Sequence, residues 1–281
     1  MQMAIVGTGA IGSVLAYQLA GAGHEVTVVA RGARLSQLQR DGAIVLASGE
    51  RAAVTVRPAL DTSVAYDLVI VTVLAPQVGA VLPALRASAA RTVMFMFNTF
   101  EPLDPLRDAV GAERFVFGFP GGIFALLLGG RVRPQIRGGT TVGDAAWAKV
   151  FSDAGIPTVV EADMFSWLRS HAAMVAPLMA IGTVVAQRGA GISWREAGRY
   201  AAAMKAGFRV VRELGNVVTP SSLGTLSRLP VALITGILWA MSRTRMLRDL
   251  GMLGAAEPRM LIDMMTAAAP GKTGELLAIR P

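Results

Sequence analysis

Gly7-Thr8-Gly9-Ala10-Ile11-Gly12 lies between a short apolar run, Met3-Ala4-Ile5-Val6, and a helical pattern that continues through Leu15 and Leu19. A Gly-x-Gly-x-x-Gly motif between a strand and a helix is typical of the turn that binds a dinucleotide pyrophosphate. Its glycines permit a tight turn, backbone approach to the phosphates and close helix–strand packing, and the helix start offers free N–H groups. An ordinary Gly-rich turn is the alternative. We predict a dinucleotide site that includes Gly7, Gly9, Ala10, Ile11 and Gly12.

The residues after the second predicted strand indicate which dinucleotide binds. The strand Glu25–Ala30 leads to Arg31, with Arg34 three residues later and no carboxylate before Asp41. NAD-binding units carry Asp or Glu at this place to hold the ribose 2′-hydroxyl, whereas a guanidinium can bind the 2′-phosphate of NADP. We therefore expect NADP as the cofactor, with Arg31 at the 2′-phosphate. A solvated loop cation is the alternative interpretation of Arg31.

Length and composition favour a folded chain of two domains. With 281 residues, 53% of them hydrophobic and 16% charged, the chain can bury a sizeable core. It has no cysteine, so disulfides and thiolate chemistry are excluded, and the spacing of metal ligands is also missing. The first strand begins too early for a secretory signal, so we expect a cytoplasmic protein. The apolar stretch Leu229–Met241 is too short to cross a bilayer and predicts a buried helix.

The positive charge of the chain is unevenly shared. Residues 1–161 carry 13 basic and 12 acidic side chains, whereas residues 162–281 carry 14 and 7. Such an excess can indicate nucleic acid, a membrane surface or an anionic substrate, and a solvated face is the simplest alternative. Because the basic residues are scattered rather than clustered with aromatics, we expect a small-molecule carboxylate substrate and neither nucleic acid nor membrane. A homodimer is compatible with the sequence.

The hydrophobic pattern changes its period about halfway along the chain. Strands are predicted over Asp67–Val73, Thr92–Phe97, Phe115–Phe119 and Thr158–Val160, with helices over about 76–87 and 144–154 and a hairpin between Gly121 and Gly143. From Ala162 apolar residues recur at helical spacing almost to the end. The predicted fold is an α/β Rossmann-type doubly wound sheet domain over residues 1–161, followed by an all-α helical domain over residues 162–281.

Polar residues that interrupt these apolar patterns are the candidates for chemistry. Asn98 directly follows the strand that ends at Phe97, where ligands bind in doubly wound sheets. Its amide can serve a substrate or the nicotinamide ribose, although a turn cap is an equally good explanation. In the helical half, Arg169 and Glu257 stand among apolar residues. Each alone fits a surface or capping position, and their combination makes a site more credible.

The chain resembles the ketopantoate reductase (2-dehydropantoate 2-reductase) family over essentially its whole length. The resemblance rests on the glycine motif, on Gly23-His24-Glu25-Val26 leading to Arg31, on Asn98, on Trp167-Leu168-Arg169, and on Arg245-Met246-Leu247-Arg248-Asp249 followed by Glu257. It implies NADPH-dependent reduction of a 2-keto acid to a 2-hydroxy acid. It also implies that a helical-domain lysine donates the proton, while Asn98 and Glu257 hold the substrate.

The chain departs from the family pattern mainly in its substrate half. Arg169 occupies the place of the catalytic lysine, Thr99 that of the glycine after Asn98, and Arg245 that of a serine. Releasing a guanidinium proton near neutral pH costs on the order of 8 kcal/mol, so Arg169 cannot replace a proton-donating lysine. It can polarise the ketone oxygen or clamp a carboxylate. The pattern indicates a diverged reductase with Arg169, Asn98 and Glu257 as catalytic residues.

Two other interpretations follow from the same residues. One is an oxidoreductase of the same fold that acts on another carbonyl or an imine, and the other is a dinucleotide-binding protein that has lost its catalysis. Histidine offers little help in choosing, because His24 lies in a turn and His171 lies on a different helical face from Arg169, about 200° away.

Overall fold

The computed structural model describes all 281 residues and divides into two compact units. The first unit comprises residues 1–97 and 103–164, and the second comprises residues 98–102 and 165–281. The short segment 98–102 thus belongs with the helices of the carboxyl-terminal half. The sequence predicts two domains with a boundary after residue 161, and this domain boundary stays a prediction.

The first unit is built on an eight-stranded sheet. Twelve strands occur in chain order: β1 Gln2–Val6, β2 Glu25–Val29, β3 Ala43–Val45, β4 Arg51–Ala53, β5 Thr55–Arg57, β6 Leu68–Val71, β7 Val93–Met96, β8 Phe115–Phe119, β9 Ile123–Leu128, β10 Arg131–Ile136, β11 Thr140–Val142 and β12 Thr158–Val160. The large sheet has the order β12-β11-β8-β7-β6-β1-β2-β5. All its pairs are parallel except that of β11 with β8.

The order of the strands reverses at β1. From β1 the chain moves outward through β2 to β5 and then returns to β6 on the other side of β1. Ligands of doubly wound sheets bind at this reversal, beyond the carboxyl ends of the strands. The loops that meet there are Gly7–Gly9, after β1, and Thr72–Leu74, after β6.

Five helices and two hairpins complete the first unit. The helices are α1 Ala10–Gly21, α2 Gly32–Asp41, α3 Val78–Ala87, α4 Asp104–Val110 and α5 Ala145–Asp153, with a short 3-10 turn at Ala75–Gln77 before α3. The hairpin predicted between Gly121 and Gly143 is confirmed as the antiparallel pair β9–β10. A second hairpin, β3–β4, was not predicted. Met3, Ile5, Leu15 and Leu68 are fully buried between the sheet and α1.

The second unit is entirely helical. Its helices are α6 Met164–Arg188, α7 Trp194–Glu213, α8 Ser221–Arg228, α9 Val231–Met241, α10 Arg245–Gly251, α11 Ala256–Ala268 and α12 Gly274–Leu277. The long helix α6 is apolar and long enough to cross a membrane, but 72% of its most apolar window is buried, as in a core helix. A Cβ atom on Gly251 would lie 1.9 Å from the Gly182 oxygen, so α6 and α10 meet through these glycines. The predicted α/β and all-α fold class is confirmed.

The prediction of a buried helix over Leu229–Met241 is wrong in part. Helix α9 begins at Val231 and buries Ile234, Thr235 and Leu238. The opposite face exposes Leu233, Ile237 and Trp239, by 55%, 41% and 37%. A stretch that is apolar all round carries no periodicity, and the sequence therefore could not show which face of the helix packs against the unit.

Candidate functional site

A cleft of about 600 Å³ opens in the first unit at the reversal of the strand order. Its wall combines the glycine motif, the end of β2, the loop Pro58–Leu60 after β5 and the loop Thr72–Leu74 after β6. Six of the seven residues predicted to contact the cofactor line it: Gly7, Gly9, Ala10, Ile11, Gly12 and Arg31. The seventh, Asn98, belongs to the second unit.

The three motif glycines have different reasons to lack a side chain. Gly7 has φ of 101°, and a Cβ atom there would lie 2.8 Å from the Val73 nitrogen. A Cβ atom on Gly12 would lie 2.5 Å from the Gly7 oxygen and 2.6 Å from the Thr72 hydroxyl. A Cβ atom on Gly9 would meet no atom within 4 Å. The protein itself therefore requires Gly7 and Gly12, whereas Gly9 keeps space free in the cleft, as close approach of a pyrophosphate requires.

The two arginines that follow β2 have different surroundings. Arg34 donates from Nε to the Thr8 oxygen at 3.1 Å, and from its terminal nitrogens to Ser13 at 2.7 Å and the Gly130 oxygen at 2.8 Å. Burial lowers its pKa, although the charge of Asp41 opposes the shift. Arg31 is exposed at the start of α2, and its guanidinium makes no hydrogen bond or ion pair within the chain. Arg34 thus holds the glycine loop, and Arg31 remains available for an anion.

The polar site of the second unit is organised by the segment 98–102. This segment follows β7 directly and packs with the helical unit. Its first residue, Asn98, contacts α11 through its side chain, and its third, Phe100, contacts α6 through its backbone oxygen. Phe100 itself is almost fully buried. The segment therefore links two helices that are distant in sequence.

Asn98 and Glu257 form a direct pair. The amide Nδ2 of Asn98 donates a hydrogen bond of 2.6 Å to Oε1 of Glu257, in the first turn of α11. Both side chains are partly buried. Burial raises the pKa of Glu257, and the hydrogen bond from Asn98 opposes this shift because it favours the charged form. No arginine, lysine or histidine forms an ion pair with this carboxylate.

Arg169 is a buried cation without a carboxylate partner. Only 7% of the residue is exposed, and burial lowers its pKa. Its Nε donates to the Phe100 oxygen at 3.2 Å, and one terminal nitrogen donates to Oδ1 of Asn216 at 2.6 Å. The guanidinium carbon also lies 4.0 Å from the centre of the Phe165 ring and 5.1 Å from that of Phe100. These neutral groups fix the guanidinium and leave its charge uncompensated.

Asn216 is the residue of this site that the sequence did not reveal. It lies in the loop after α7 and joins that loop to α6 at two points. Its Oδ1 accepts from Arg169, and its Nδ2 donates to the Ser166 hydroxyl at 3.0 Å. The Ser170 hydroxyl holds the same loop by accepting from the Thr219 N–H at 3.1 Å. A Gly215-Asn216 pair after a helix is an ordinary turn signal, so no motif marked this residue.

The other basic side chains that were considered for the site interact with other partners. The three lysines bind Asp153, Glu213, or the backbone oxygens of Ser227 and Leu229. Arg245 is exposed and lies 3.7 Å from Asp249. The His171 ring stacks on Trp167 at 5.0 Å, and burial lowers the pKa of His171 to about 4. His171 is therefore neutral at physiological pH.

Comparison with protein families gives a match to one family model. The family model described as ketopantoate reductase PanE/ApbA matches residues 3–147, which is more than half of the chain. The match spans the glycine motif, Arg31 and Asn98.

Solved structures of other proteins match the fold of this chain over its whole length. A PanE/ApbA family ketopantoate reductase from Ralstonia eutropha JMP134 is 20% identical, with a TM-score of 0.75 over 100% of this chain and 97% of the other. The structure of a D-mandelate dehydrogenase with NADH and anilino(oxo)acetate is 16% identical, with a TM-score of 0.67 and coverages of 100% and 96%. A dimeric ketopantoate reductase from Staphylococcus aureus is 17% identical, with a TM-score of 0.70 and coverages of 100% and 96%. At these identities the likeness concerns the fold.

Proposed function

Since the chain belongs to the ketopantoate reductase PanE/ApbA family, we propose that it is an NADPH-dependent reductase that converts a ketopantoate-like 2-keto acid into the 2-hydroxy acid. The family consists of oxidoreductases acting on a C=O/CH–OH pair. The observation that carries the proposal is the buried, uncompensated guanidinium of Arg169, in the same unit as the Asn98–Glu257 pair. Such a charge suits an anionic substrate.

The cleft of the first unit fits a nicotinamide dinucleotide. Gly9 leaves room for the pyrophosphate, and the N–H groups at the start of α1 favour its charge. When bound, the reduced cofactor supplies a hydride to the carbonyl carbon. We assign NADP rather than NAD because Arg31 is exposed, unpaired and at the end of β2. The D-mandelate dehydrogenase of the same fold is described with NADH, so both cofactors belong in the test.

Arg169 provides the positive charge of the proposed substrate site. A guanidinium has five N–H donors, and two of them are engaged by Phe100 and Asn216. The remaining donors can bind the substrate carboxylate or the ketone oxygen. Burial strengthens either interaction, since fewer water molecules screen the charge. Because the guanidinium is already oriented, it needs no rearrangement as charge develops on the oxygen.

Asn98 and Glu257 are proposed to orient the substrate. Oε1 of Glu257 accepts the hydrogen bond from Asn98, and Oε2 has no hydrogen bond within the chain. The pair therefore offers a polar contact for a hydroxyl or carbonyl group. Asn98 sits two residues from Phe100, which holds Arg169, so movement of the segment 98–102 would affect both polar groups.

We also propose that the enzyme assembles as a homodimer. The support is the dimeric Staphylococcus aureus reductase of the same fold. Sedimentation velocity of the purified chain at several concentrations tests this. A single species of twice the 29.4 kDa chain mass is expected. A monomer at every concentration would overturn the dimer and leave the proposed reaction unaffected.

The proposed reaction is tested by initial rates with NADPH and with NADH against a panel of 2-keto acids. The panel should include ketopantoate, simple ketones without a carboxylate, and an imine. Turnover confined to 2-keto acids, faster with NADPH, is expected. Turnover only on the imine would favour another oxidoreductase. Tight NADPH binding without turnover on any compound would identify a binding protein that has lost catalysis.

A further inference from the structure

We propose that Glu257 is the proton donor of this enzyme, which makes it a general acid rather than only a substrate contact. The inference rests on the proposed reductase function, because it requires a carbonyl oxygen that takes up a proton. Arg169 stands where the family pattern has its lysine and cannot release a proton, so another group must supply it. The proposal also assigns Asn98 a second role, as the group that orients this acid.

Few side chains of the second unit can donate a proton to a carbonyl oxygen. Arg169 cannot, since a guanidinium keeps its proton far above neutrality. Lys205 and Lys272 are bound to other groups, and His171 is neutral at physiological pH. Tyr200 interacts with the charges of Glu196, Arg199 and Arg188 on α6 and α7, and burial raises its pKa further from neutrality. Glu257 is the remaining acid of this site.

No charged side chain is paired with Glu257. The carboxyl is partly buried at the start of α11, and Asn98 is its hydrogen-bond partner. The charged neighbours on its own helix are turned to other partners, since Arg259 donates to the Pro281 oxygen and Asp263 binds Arg280. No charged residue of α6, α10 or the segment 98–102 forms an ion pair with it. The pKa of Glu257 is raised by burial, as a carboxyl group acting as an acid requires.

The hydrogen bond from Asn98 leaves the second oxygen of Glu257 available. The 2.6 Å bond fixes Oε1 on Asn98, and Oε2 has no hydrogen bond within the chain. A protonated carboxyl anchored in this way can accept from Asn98 at one oxygen and donate its proton from the other. The same segment holds Arg169 through the Phe100 oxygen. Donor and stabilising charge are therefore fixed by one short piece of backbone.

The proton balance of the step is complete. As the carbon–oxygen π bond opens toward oxygen and the carbon receives the hydride described above, the O–H bond of Glu257 breaks and its proton bonds to the carbonyl oxygen. The products are the 2-hydroxy acid, the oxidised cofactor and a Glu257 carboxylate. Water reprotonates this carboxylate before the next turnover. Arg169 keeps its proton throughout.

The test compares wild type with Glu257→Gln and Glu257→Asp, and with Glu213→Gln as a matched loss of a surface carboxylate. Glu213 pairs with Lys272 and has no part in the site. General acid catalysis contributes about 100- to 10,000-fold, so Glu257→Gln should lower kcat by that factor with unchanged NADPH affinity. The wild-type rate should fall with rising pH above the Glu257 pKa. Glu257→Asp should retain this alkaline limb at reduced rate, and Glu213→Gln should match wild type.

A readout without cofactor separates proton donation from a structural role. Carbon-13 labelled glutamate allows the protonation of Glu257 to be titrated by NMR, with Glu257→Gln identifying its resonance. Its midpoint should lie above that of the exposed glutamates and coincide with the alkaline limb in the rate profile. Formate should restore part of the activity of Glu257→Ala, because a small acid can replace the missing donor.

Several results would overturn the assignment. If Glu257→Gln raises KM but keeps kcat within tenfold, or if its alkaline limb persists, Glu257 only orients the substrate. A midpoint at or below that of exposed glutamates would also overturn it, as would absence of formate rescue in a folded variant. If wild type reduces no 2-keto acid with either cofactor, the reductase function fails and the proton donor fails with it. If both wild type and Glu257→Gln reduce 2-keto acids at similar rates, Glu257 is not the proton donor, and the proposed reductase function still stands.

Discussion

The glycine loop of the first unit and the polar site of the second unit differ in what builds them. The glycine loop consists of backbone, namely the motif glycines and the N–H groups at the start of α1, and Arg31 follows it within about 30 consecutive residues. The polar site is made of side chains from the segment 98–102, α6, the loop after α7 and α11. A backbone site depends on local sequence and a side-chain site depends on packing. Changes in packing can therefore alter the polar site while the glycine loop stays the same.

The largest effect is expected from removing the charge of the polar site. Arg169→Ala should lower kcat by about 100- to 1,000-fold, as loss of a preorganised donor does, because the developing negative charge would lose its partner. NADPH affinity should stay within about twofold, since the cofactor cleft is in the other unit. Steady-state rates and fluorescence titration with NADPH measure the two effects. Equal losses of affinity and turnover would contradict the separation of the two regions.

Arg169→Lys is a second test of the polar site, because it keeps a positive charge at this position. A lysine would restore the proton donor that the resemblance to the family implies, and it would remove the planar fork that binds both Phe100 and Asn216. If the site keeps the family geometry, ketopantoate reduction should rise in this variant. Asn216→Ala is the companion variant and should lower kcat by loosening Arg169. No gain with Arg169→Lys and no loss with Asn216→Ala would show that this network is only structural.

A smaller effect is expected in the cofactor site. Arg31→Ala should weaken NADPH binding by about tenfold to a hundredfold and leave NADH nearly unchanged, because only NADPH carries the 2′-phosphate. Arg34→Ala is the control, since Arg34 holds the loop through Thr8, Ser13 and Gly130. It should weaken both cofactors alike and lower the Tm. Titration calorimetry with each cofactor measures this, and an equal loss for both with Arg31→Ala would reject the NADP assignment.

The backbone character of the loop can be tested with a pair of alanines. Gly12→Ala places a Cβ atom against the Gly7 oxygen and the Thr72 hydroxyl, so the protein should lose about 1–3 kcal/mol of unfolding free energy. Gly9→Ala meets open space and should keep its Tm while weakening NADPH. Thermal unfolding and cofactor titration distinguish the two. Similar Tm losses for both variants would contradict the different reasons given for these glycines.

The smallest effect concerns the pKa of Glu257. The hydrogen bond from Asn98 favours the carboxylate, so Asn98→Ala should raise the pKa of Glu257 further. The alkaline limb of the rate profile should therefore move to higher pH by the same amount. NMR titration of labelled glutamate measures the shift directly. A shift to lower pH would show that Asn98 holds the neutral form instead.

Most of the fold was predictable from local patterns. The strand ranges Phe115–Phe119 and Thr158–Val160 agree with the structure, and so does the hairpin after Gly121. The strands β3, β4, β5 and β11 were missed, whereas β12, which also has three residues, was predicted. Three residues are too few to show a hydrophobic period, so strands of this length are predicted only in part. The exposed face of α9 was misjudged because hydrophobicity alone does not tell which side of an all-apolar helix finds a partner.

The candidate site was predictable only in part. Asn98 was predicted from its place after a strand, and Arg169 and Glu257 were predicted as polar residues among apolar ones; the resemblance to family motifs supported all three. In the structure Asn98 binds Glu257, and Arg169 binds Phe100 in the segment 98–102 that begins with Asn98. Asn216 was not found, because its contact with Arg169 spans 47 residues and depends on how the loop after α7 packs. Its amide oxygen explains how a buried guanidinium stays in place, which no spacing in the sequence indicates.

Isotope transfer shows whether this chain passes a hydride from the cofactor to a 2-keto acid. Wild type is incubated with ketopantoate or another 2-keto acid and NADPH deuterated at the transferable C4 position, and the products are analysed by mass spectrometry. The account predicts a 2-hydroxy acid with one deuterium at C2 and an equal amount of NADP. Recovery of unchanged keto acid and unchanged NADPH, under conditions where NADPH binds, would contradict it.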